Sequence, residues 1–211
     1  MTPRLLARLH PDLDRRLVRL AAQVAALTAL VLVLAQPDLP ERAYFAPSAE
    51  RTLRALAAEP GIRAVLAEQN RALAGAPEAW TDAAEAAWSR EALEGGGSFL
   101  NAVLRRPASR SLRAMVRRSP VVRHAALYDR AGRIAAAAQP LPAYRFAREP
   151  GWAALAALPP GARHVGPREP GHAQTFAACW VTLPLRDPSG ALAGALALEL
   201  DAEVVGATLC R

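Results

Sequence analysis

The first hydrophobic feature of the chain is an uncharged stretch from Leu20 to Ala35, with the sequence LAAQVAALTALVLVLA. As a helix it would be roughly 24 Å long, against about 30 Å for the hydrocarbon core of a bilayer. Five arginines and two aspartates precede it within residues 1–20, and such a basic flank orients a membrane segment with that side in the cytoplasm. The pattern predicts a basic cytoplasmic N-terminus at residues 1–19 and a membrane-directed helix at residues 20–36.

Three interpretations of this segment remain open. A transmembrane anchor is long enough if Arg16 and Arg19 reach back to the interface. A cleaved signal peptide would use Val33-Leu34-Ala35 as the small-residue cleavage site before Gln36. An ordinary buried helix is the third interpretation. The first two, which the basic flank favours, predict a bacterial inner-membrane protein with a periplasmic domain, or a protein exported to the periplasm.

Residues 37–120 carry apolar side chains at helical spacing. Leu53, Leu56 and Ala57 fall on one helical face, and a second stripe follows the break at Pro60-Gly61. The other boundary signals are Ser48 as an N-cap, Thr81 as the cap of a third helix, Gly95-Gly96-Gly97 as its end, Ser98 as the next start, and Pro107 as an interruption. This region is predicted to be the helical part of one domain.

Residues 121–206 change to the pattern of β-strands. The predicted strands are Val121–Tyr128, Arg133–Ala138, His164–Gly166, Gln174–Leu185 and Ala191–Leu200. Tight turns are expected at 129–132 and 187–190, a short helix at 151–158, and a tail at residues 207–211. Long helices followed by an antiparallel meander of about five strands predict an α+β fold.

All 26 basic residues are arginine, and the formal net charge is +7. Nearly half of this excess precedes the apolar run, and Arg106, Arg110, Arg113 and Arg117 form one face of a predicted helix. That face is either a solvated helix side or a contact for anionic lipid headgroups or an acidic partner. Nucleic acid is not a predicted partner outside the cytoplasm. The absence of lysine excludes P-loop and Schiff-base chemistry.

The chain offers little catalytic chemistry. Its four histidines lack metal-ligand spacing, and no nucleophile elbow is present. We therefore predict no enzymatic activity, no cofactor and no metal site. Cys179 falls in a predicted strand, where we expect a buried free thiol, although an oxidising compartment would allow a disulfide with Cys210.

Several motifs occur in a characteristic order along the chain. ALYDRAGRIAAA is a strand, D-x-x-G turn and strand; GWAAL contains a Trp at the start of a short helix; LPLRDPSGALAGALALELD is a closing hairpin. Trp88-Ser89-Arg90 and the segment from Ser109 to Leu112 precede them. Together these features, spanning roughly residues 48–205, resemble the single-Cache, or PDC-type, sensor domains of bacterial extracytoplasmic receptors. The resemblance implies a PAS-like antiparallel sheet behind the long helices.

The resemblance also implies a pocket with aromatic walls and a fixed cation that grips a carboxylate or another anion. The candidate ligand-binding residues are Tyr128, Tyr144, Arg148, Trp152 and Trp180. The alternative is plain core residues for Tyr128 and Trp180 and a solvated charge for Arg148. Amine-binding members of the family place an acid on a strand that faces the ligand. No equivalent is identified, because Glu169 lies in a predicted turn.

These features predict an extracytoplasmic domain that senses a small molecule without an output module in the same chain. A lid from Tyr144 to Trp152 would close over the ligand, shift the N-terminal helix, and bias a membrane signalling partner. A homodimer is compatible with this scheme. The alternative is a degenerate Cache domain that serves as a membrane-anchored interaction or assembly module. The alanines at 135–138 favour it, because they offer a ligand no hydrogen bonds.

Overall fold

Helices make up the first part of the chain in the computed structural model, which describes residues 51–146, 151–171, 176–205 and 210. The helices are α1 (51–58), α2 (Pro60–Ala72), α3 (Glu78–Leu93), α4 (Ser98–Leu104) and α5 (Pro107–Arg118). The predicted membrane-directed segment and the Ser48 cap lie outside the described residues. No helix within the described ranges is long and apolar enough to span a bilayer.

Proline and glycine fix most helix boundaries. Pro60 and Pro107 each occupy the start of a helix, where the missing N–H costs nothing. Gly95, with φ 79°, follows the end of α3. The prediction that Thr81 caps this helix is wrong: α3 begins at Glu78, and Thr81 is buried inside it. The helix starts earlier because Pro77, at φ −67° and ψ 154°, provides the extended residue that precedes it.

The second part of the chain forms a six-stranded antiparallel sheet with short helices around it. Its elements are β1 (Val122–Asp129), β2 (Ile134–Ala137), α6 (Trp152–Ala157), β3 (His164–Val165), β4 (Glu169–Pro170), β5 (Ala177–Arg186), β6 (Leu192–Asp201) and α7 (Ala202–Val205). The predicted α+β class is therefore confirmed. The turn predicted at Glu169 is wrong, because this residue pairs with Ala178 of β5.

The predicted meander is also wrong in its strand order, which is β2-β1-β6-β5-β3, with β4 pairing with β5. The first strand, β1, lies between β2 and the last strand, β6. An inner strand needs backbone hydrogen-bond partners along both edges, and the short hairpin to β2 supplies only one of them. Only a long-range pairing with β6 supplies the second neighbour.

Two hydrophobic clusters cover the two faces of the sheet. Helices α1, α2 and α5 pack on the face that carries Leu127, Val181 and Leu198, which we name the α2 face. Helices α3 and α4 contribute Trp88 and Leu100 to the other cluster, which includes Ala126, Tyr128, Trp180 and Ala197. We name this second surface the aromatic face.

Three of the four alanines at 135–138 have a structural role on the α2 face. Ala135, Ala136 and Ala138 belong to the cluster under α2 and α5. Their small side chains let α5 approach closely enough for Ser109 Oγ to accept a hydrogen bond from the Ala137 N–H at 3.1 Å. Alanine enrichment at this place therefore has an explanation in helix–sheet contact.

The predicted single arginine face on α5 divides into two parts. Arg106 and Arg113 are half-buried and donate hydrogen bonds to backbone oxygens of the β2 segment, Ala135 O at 2.7 Å and Ala138 O at 3.0 Å. Arg110 and Arg117 are exposed. The prediction of one arginine face that is solvated or contacts lipid is thus wrong, because two of its four arginines bind the edge of the sheet.

The expected free thiol at Cys179 is wrong as well. Cys179 and Cys210 form a disulfide with a Cα–Cα distance of 5.6 Å, and both residues are buried. Helix α7, which follows β6, packs against β5, the strand that carries Cys179.

Candidate functional site

Tyr128 and Trp152, two of the predicted ligand-binding residues, belong to one aromatic stack on the aromatic face. The fully buried Tyr128 ring meets Phe146 edge-on at 5.2 Å, and Phe146 meets Trp152 at 5.4 Å. Trp152 Nε1 donates a hydrogen bond to the Arg130 carbonyl oxygen at 2.6 Å. The stack therefore fixes α6 to the β1–β2 turn. Phe146, which joins the two rings, was missed because nothing in its sequence context distinguishes it from an exposed loop residue.

Tyr144 lies in a neighbouring aromatic group. Its ring centroid is 5.7 Å from Trp88 and 5.3 Å from Phe99, and its N–H donates to Glu85 Oε1 at 3.0 Å. Burial, reinforced by the negative charge of Asp129, raises the pKa of the Tyr144 phenol to about 12. The phenol therefore remains neutral at physiological pH and is available as a hydrogen-bond donor.

A small cavity adjoins Tyr144 at the β2 edge of the sheet. It measures about 140 Å³ and is lined by Trp80, Phe99, Arg106 and Gln69 among others. Arg106 Nη1 donates a hydrogen bond to Gln69 Oε1 at 2.5 Å. These two lining residues therefore already bind each other. Tyr144 thus borders this cavity. The described residues that line it do not include Tyr128, Trp152 or Trp180.

Trp180 and an adjacent pair of polar residues form a row across the three central strands. In the strand register, Glu199 of β6 is directly paired with His124 of β1 on one side and with Trp180 of β5 on the other. Paired residues in antiparallel strands point to the same side of the sheet, so all three lie on the aromatic face. The His124 and Trp180 rings are 6.1 Å apart. We name these three residues the polar row.

The polar row is buried. His124, Glu199 and Trp180 are 0%, 2% and 4% exposed. His124 Nε2 lies 3.0 Å from the Gln139 carbonyl oxygen, and because a carbonyl only accepts, this nitrogen carries the proton. A buried carboxylate beside an imidazole and an indole offers groups for both hydrogen bonding and stacking.

Small side chains separate the polar row from the aromatic stack. In the next register position Ala126, Ala197 and Thr182 lie side by side, and beyond them Tyr128 pairs with Ala195. His164 of β3 pairs with Thr182. Its Nε2 atom is buried without a hydrogen-bond partner among the described atoms. The aromatic face thus has a floor of small residues with hydrogen-bonding groups around it.

Sequence reasoning identified Trp180 but missed His124 and Glu199. A signal was present in β6, where leucines at 196, 198 and 200 alternate with Ala195, Ala197 and Glu199. Strict alternation assigns the glutamate to the face opposite the leucines. Glu199 is therefore a strand carboxylate of the kind sought at Glu169. Arg148, the predicted cation, lies outside the described residues.

A separate polar network connects the β1–β2 turn with α2. The fully buried Asp129 accepts hydrogen bonds from Arg133 Nε at 2.8 Å and from Gln69 Nε2 at 3.1 Å. Gln69 also donates to the Ile134 carbonyl oxygen at 3.2 Å. Arg130 Nη2 donates to the Asn70 carbonyl oxygen at 3.0 Å. Trp152 and α2 are consequently bound to the same turn.

Comparisons with known proteins find similarity in structure alone. No protein-family model matches the chain, and no curated protein matches it in sequence. The sensor domain of the Vibrio cholerae histidine kinase DctB is similar with a TM-score of 0.44 and 12% identity, over 92% of this chain and 59% of that domain. An extracellular ligand-binding receptor from Desulfohalobium retbaense gives a TM-score of 0.36 and 14% identity, over 69% of this chain and 25% of the receptor.

The fold itself defines the class of protein: an α+β domain with an open antiparallel sheet, helices on both faces, and β1 paired with the last long strand. The similar solved structures are a sensor domain and a ligand-binding receptor. The chain spans 59% of the DctB sensor domain.

Proposed function

We propose that this chain is an extracytoplasmic sensor domain that binds a small polar molecule on the aromatic face and acts on a membrane partner. The observation that carries the proposal is the polar row of His124, Glu199 and Trp180. Removing a carboxylate from water costs several kcal/mol in a protein interior. A buried acid at this position of β6 therefore needs hydrogen-bonding or charged partners, and a ligand with donor groups would be one of them.

The chemistry of the polar row selects the ligand. Glu199 accepts hydrogen bonds, and the Trp180 ring offers a flat apolar surface. A small molecule with an amine or several donor groups fits this arrangement. Tyr128 and Trp152 lie beyond the floor of small residues on the same face, whereas Tyr144 borders a separate cavity. A carboxylate-binding role for Arg148 stays a prediction from the sequence.

Two features support a location outside the cytoplasm. The Cys179–Cys210 disulfide is of a kind that persists in oxidising compartments such as the bacterial periplasm. The arginine-rich N-terminus before the apolar run at residues 20–36 supports export or anchoring in the inner membrane.

The signalling route that we propose runs through the β1–β2 turn. A ligand that moves Trp152 would pull on the Arg130 carbonyl oxygen, to which the indole donates. The same turn is bound to α2 through Asp129–Gln69 and Arg130–Asn70. A displacement of α2 would then reach α1, which precedes it directly.

Ligand-dependent thermal stabilisation of the purified full chain tests the proposal. Amines and amino acids, organic acids and purines are screened, and a ligand at 100 times its Kd should add about 2.7 kcal/mol, or roughly 5–10 °C in Tm. Glu199→Gln should abolish the shift, whereas Glu203→Gln, an exposed acid on α7, should retain it.

The competing function, an interaction module without a ligand, predicts a different result. No compound would shift the Tm, and one stoichiometric membrane partner would be recovered whether or not Trp152 is replaced by alanine. That outcome would refute ligand sensing. Three of the four alanines at 135–138 pack under α2 and α5, so their small size has a structural explanation beside the one that this alternative offers.

A further inference from the structure

A second concave surface lies on the α2 face, between α2 and the turn that joins β5 to β6. This groove has a volume of about 530 Å³, within the range of small-molecule sites. Leu66, Leu185 and Leu192 give it an apolar floor, widened by neighbouring alanines. We name it the α2 groove.

Three arginines and one acid border the α2 groove: Arg63, Arg130, Arg186 and Asp187. The Asp187 carboxylate is occupied within its own turn, where it accepts hydrogen bonds from Ser189 N–H at 2.8 Å, Ser189 O–H at 2.6 Å and Ala191 N–H at 3.1 Å. These bonds, the Ser189 hydroxyl first among them, hold the pKa of Asp187 below its ordinary value. The acid therefore stays charged without neutralising an arginine.

The three guanidinium groups differ in how many donors they have left. Arg186 donates to the carbonyl oxygens of Ala156, Leu158 and Gly190 and so caps the end of α6. Arg130 uses Nη2 on the Asn70 carbonyl oxygen. Among the described residues, neither Arg63 nor Arg130 has a carboxylate within ion-pair distance. Two exposed guanidinium groups with spare donors thus stand at the rim of an apolar groove.

We propose that the α2 groove binds a small amphipathic carboxylate, such as an alkyl or aryl acid. The apolar part of the ligand would cover Leu66, Leu185 and Leu192. The carboxylate would accept hydrogen bonds from Arg63 and Arg130, whose planar donor forks match its two oxygens. The site lies on the face of the sheet opposite the polar row, and it is independent of the proposed sensory ligand.

Calorimetric titration with octanoate tests this assignment. The full chain is placed in lipid nanodiscs, and empty nanodiscs give the background from partition into lipid. Octanoate should bind, while acetate, which lacks the apolar part, and octanamide, which lacks the charge, should bind at least tenfold more weakly. Equal binding of octanoate and octanamide would overturn the proposal, as would no octanoate binding.

Matched variants locate the site. Arg63→Gln and Arg130→Gln should each weaken octanoate binding by about tenfold, and Arg117→Gln, an exposed arginine on α5, should leave it unchanged. Glu199→Gln should also leave it unchanged. If Glu199→Gln abolishes octanoate binding while Arg63→Gln has no effect, the acid occupies the aromatic face and the α2 groove assignment fails, with the proposed sensory site unharmed.

Discussion

Single residues determine how α4 begins. The buried Glu91 at the end of α3 accepts hydrogen bonds from the N–H groups of Leu100 at 2.7 Å and Phe99 at 3.4 Å. This carboxylate caps α4 from another helix. A Cβ atom on Gly97 would lie 2.1 Å from the Glu91 Cδ atom, so the cap requires glycine at this position.

The close approach of Gly97 gives a stability prediction. Gly97→Ala should lower the free energy of unfolding by about 1–3 kcal/mol, because either the cap or the backbone must move. Gly61→Ala is the matched control, since its Cβ would meet only Glu59 Oε1 at 3.7 Å inside α2, and alanine favours the helix. Urea denaturation measures both. Equal destabilisation by the two changes would contradict the role of Gly97.

A second residue-scale prediction concerns Asp201 at the end of β6. Burial alone would raise its pKa, but hydrogen bonds from Arg123 and from the N–H groups of Val204 and Glu203 outweigh burial and hold the pKa below its ordinary value. A lowered pKa in the folded state contributes stability above the ordinary pKa of about 3.9, and that contribution is lost as the pH falls through the folded-state value.

The wild-type chain should therefore be more stable than Asp201→Asn at pH 7, by about 1–2 kcal/mol. The difference should shrink as the pH falls from about 5 to about 3. Denaturation curves across this range measure it. A difference that stays constant down to pH 3 would show that the Asp201 charge has no part in it.

At the scale of elements, the two hairpin turns have the same D-x-x-G pattern and different surroundings. Asp129 is fully buried with Arg133, whereas Asp187 is exposed. Removing one partner of a buried ion pair leaves the other charge uncompensated.

Asp129→Ala should therefore cost about 3–5 kcal/mol of stability, and Asp187→Ala much less, because water solvates the exposed Asp187. Chemical denaturation of the two variants makes the comparison within one sequence motif. A similar cost for both would mean that the link from Asp129 to Gln69 and Arg133 contributes little.

The helices and strands could be predicted from the local sequence. The order in which the strands pair in the sheet could not. Proline and glycine gave the starts of α2 and α5, and the D-x-x-G turns gave both hairpins. The pairing of β1 with β6 depends on contacts about 70 residues apart, for which local periodicity carries no information. Of the candidate site, Trp180 was identified by residue type, but His124 and Glu199 became neighbours only through that pairing.

At the scale of the whole molecule, the disulfide connects the end of the chain with β5. Cys179 and Cys210 are 31 residues apart, and closing a loop of this size should contribute about 3–4 kcal/mol through the unfolded state. Reduction of the wild type and Cys210→Ser should lower the unfolding free energy by similar amounts. If a reducing agent leaves the urea midpoint unchanged, the bond does not contribute to stability.

We propose separate roles for the two faces of the sheet. The α2 face joins the helices to the sheet and carries the α2 groove. The aromatic face carries the polar row above small side chains. Binding of a small molecule at the polar row is the proposed sensory event.

Tryptophan indole NMR signals can locate the bound molecule, because the chain contains only four tryptophans. Trp180 lies in the polar row, whereas Trp80 lines the cavity at the sheet edge. A ligand found by thermal shift should move the Trp180 indole resonance, assigned with Trp180→Phe, and leave that of Trp80 in place. A ligand that shifts Trp80 and leaves Trp180 unchanged would contradict the assignment of the polar row as the sensory site.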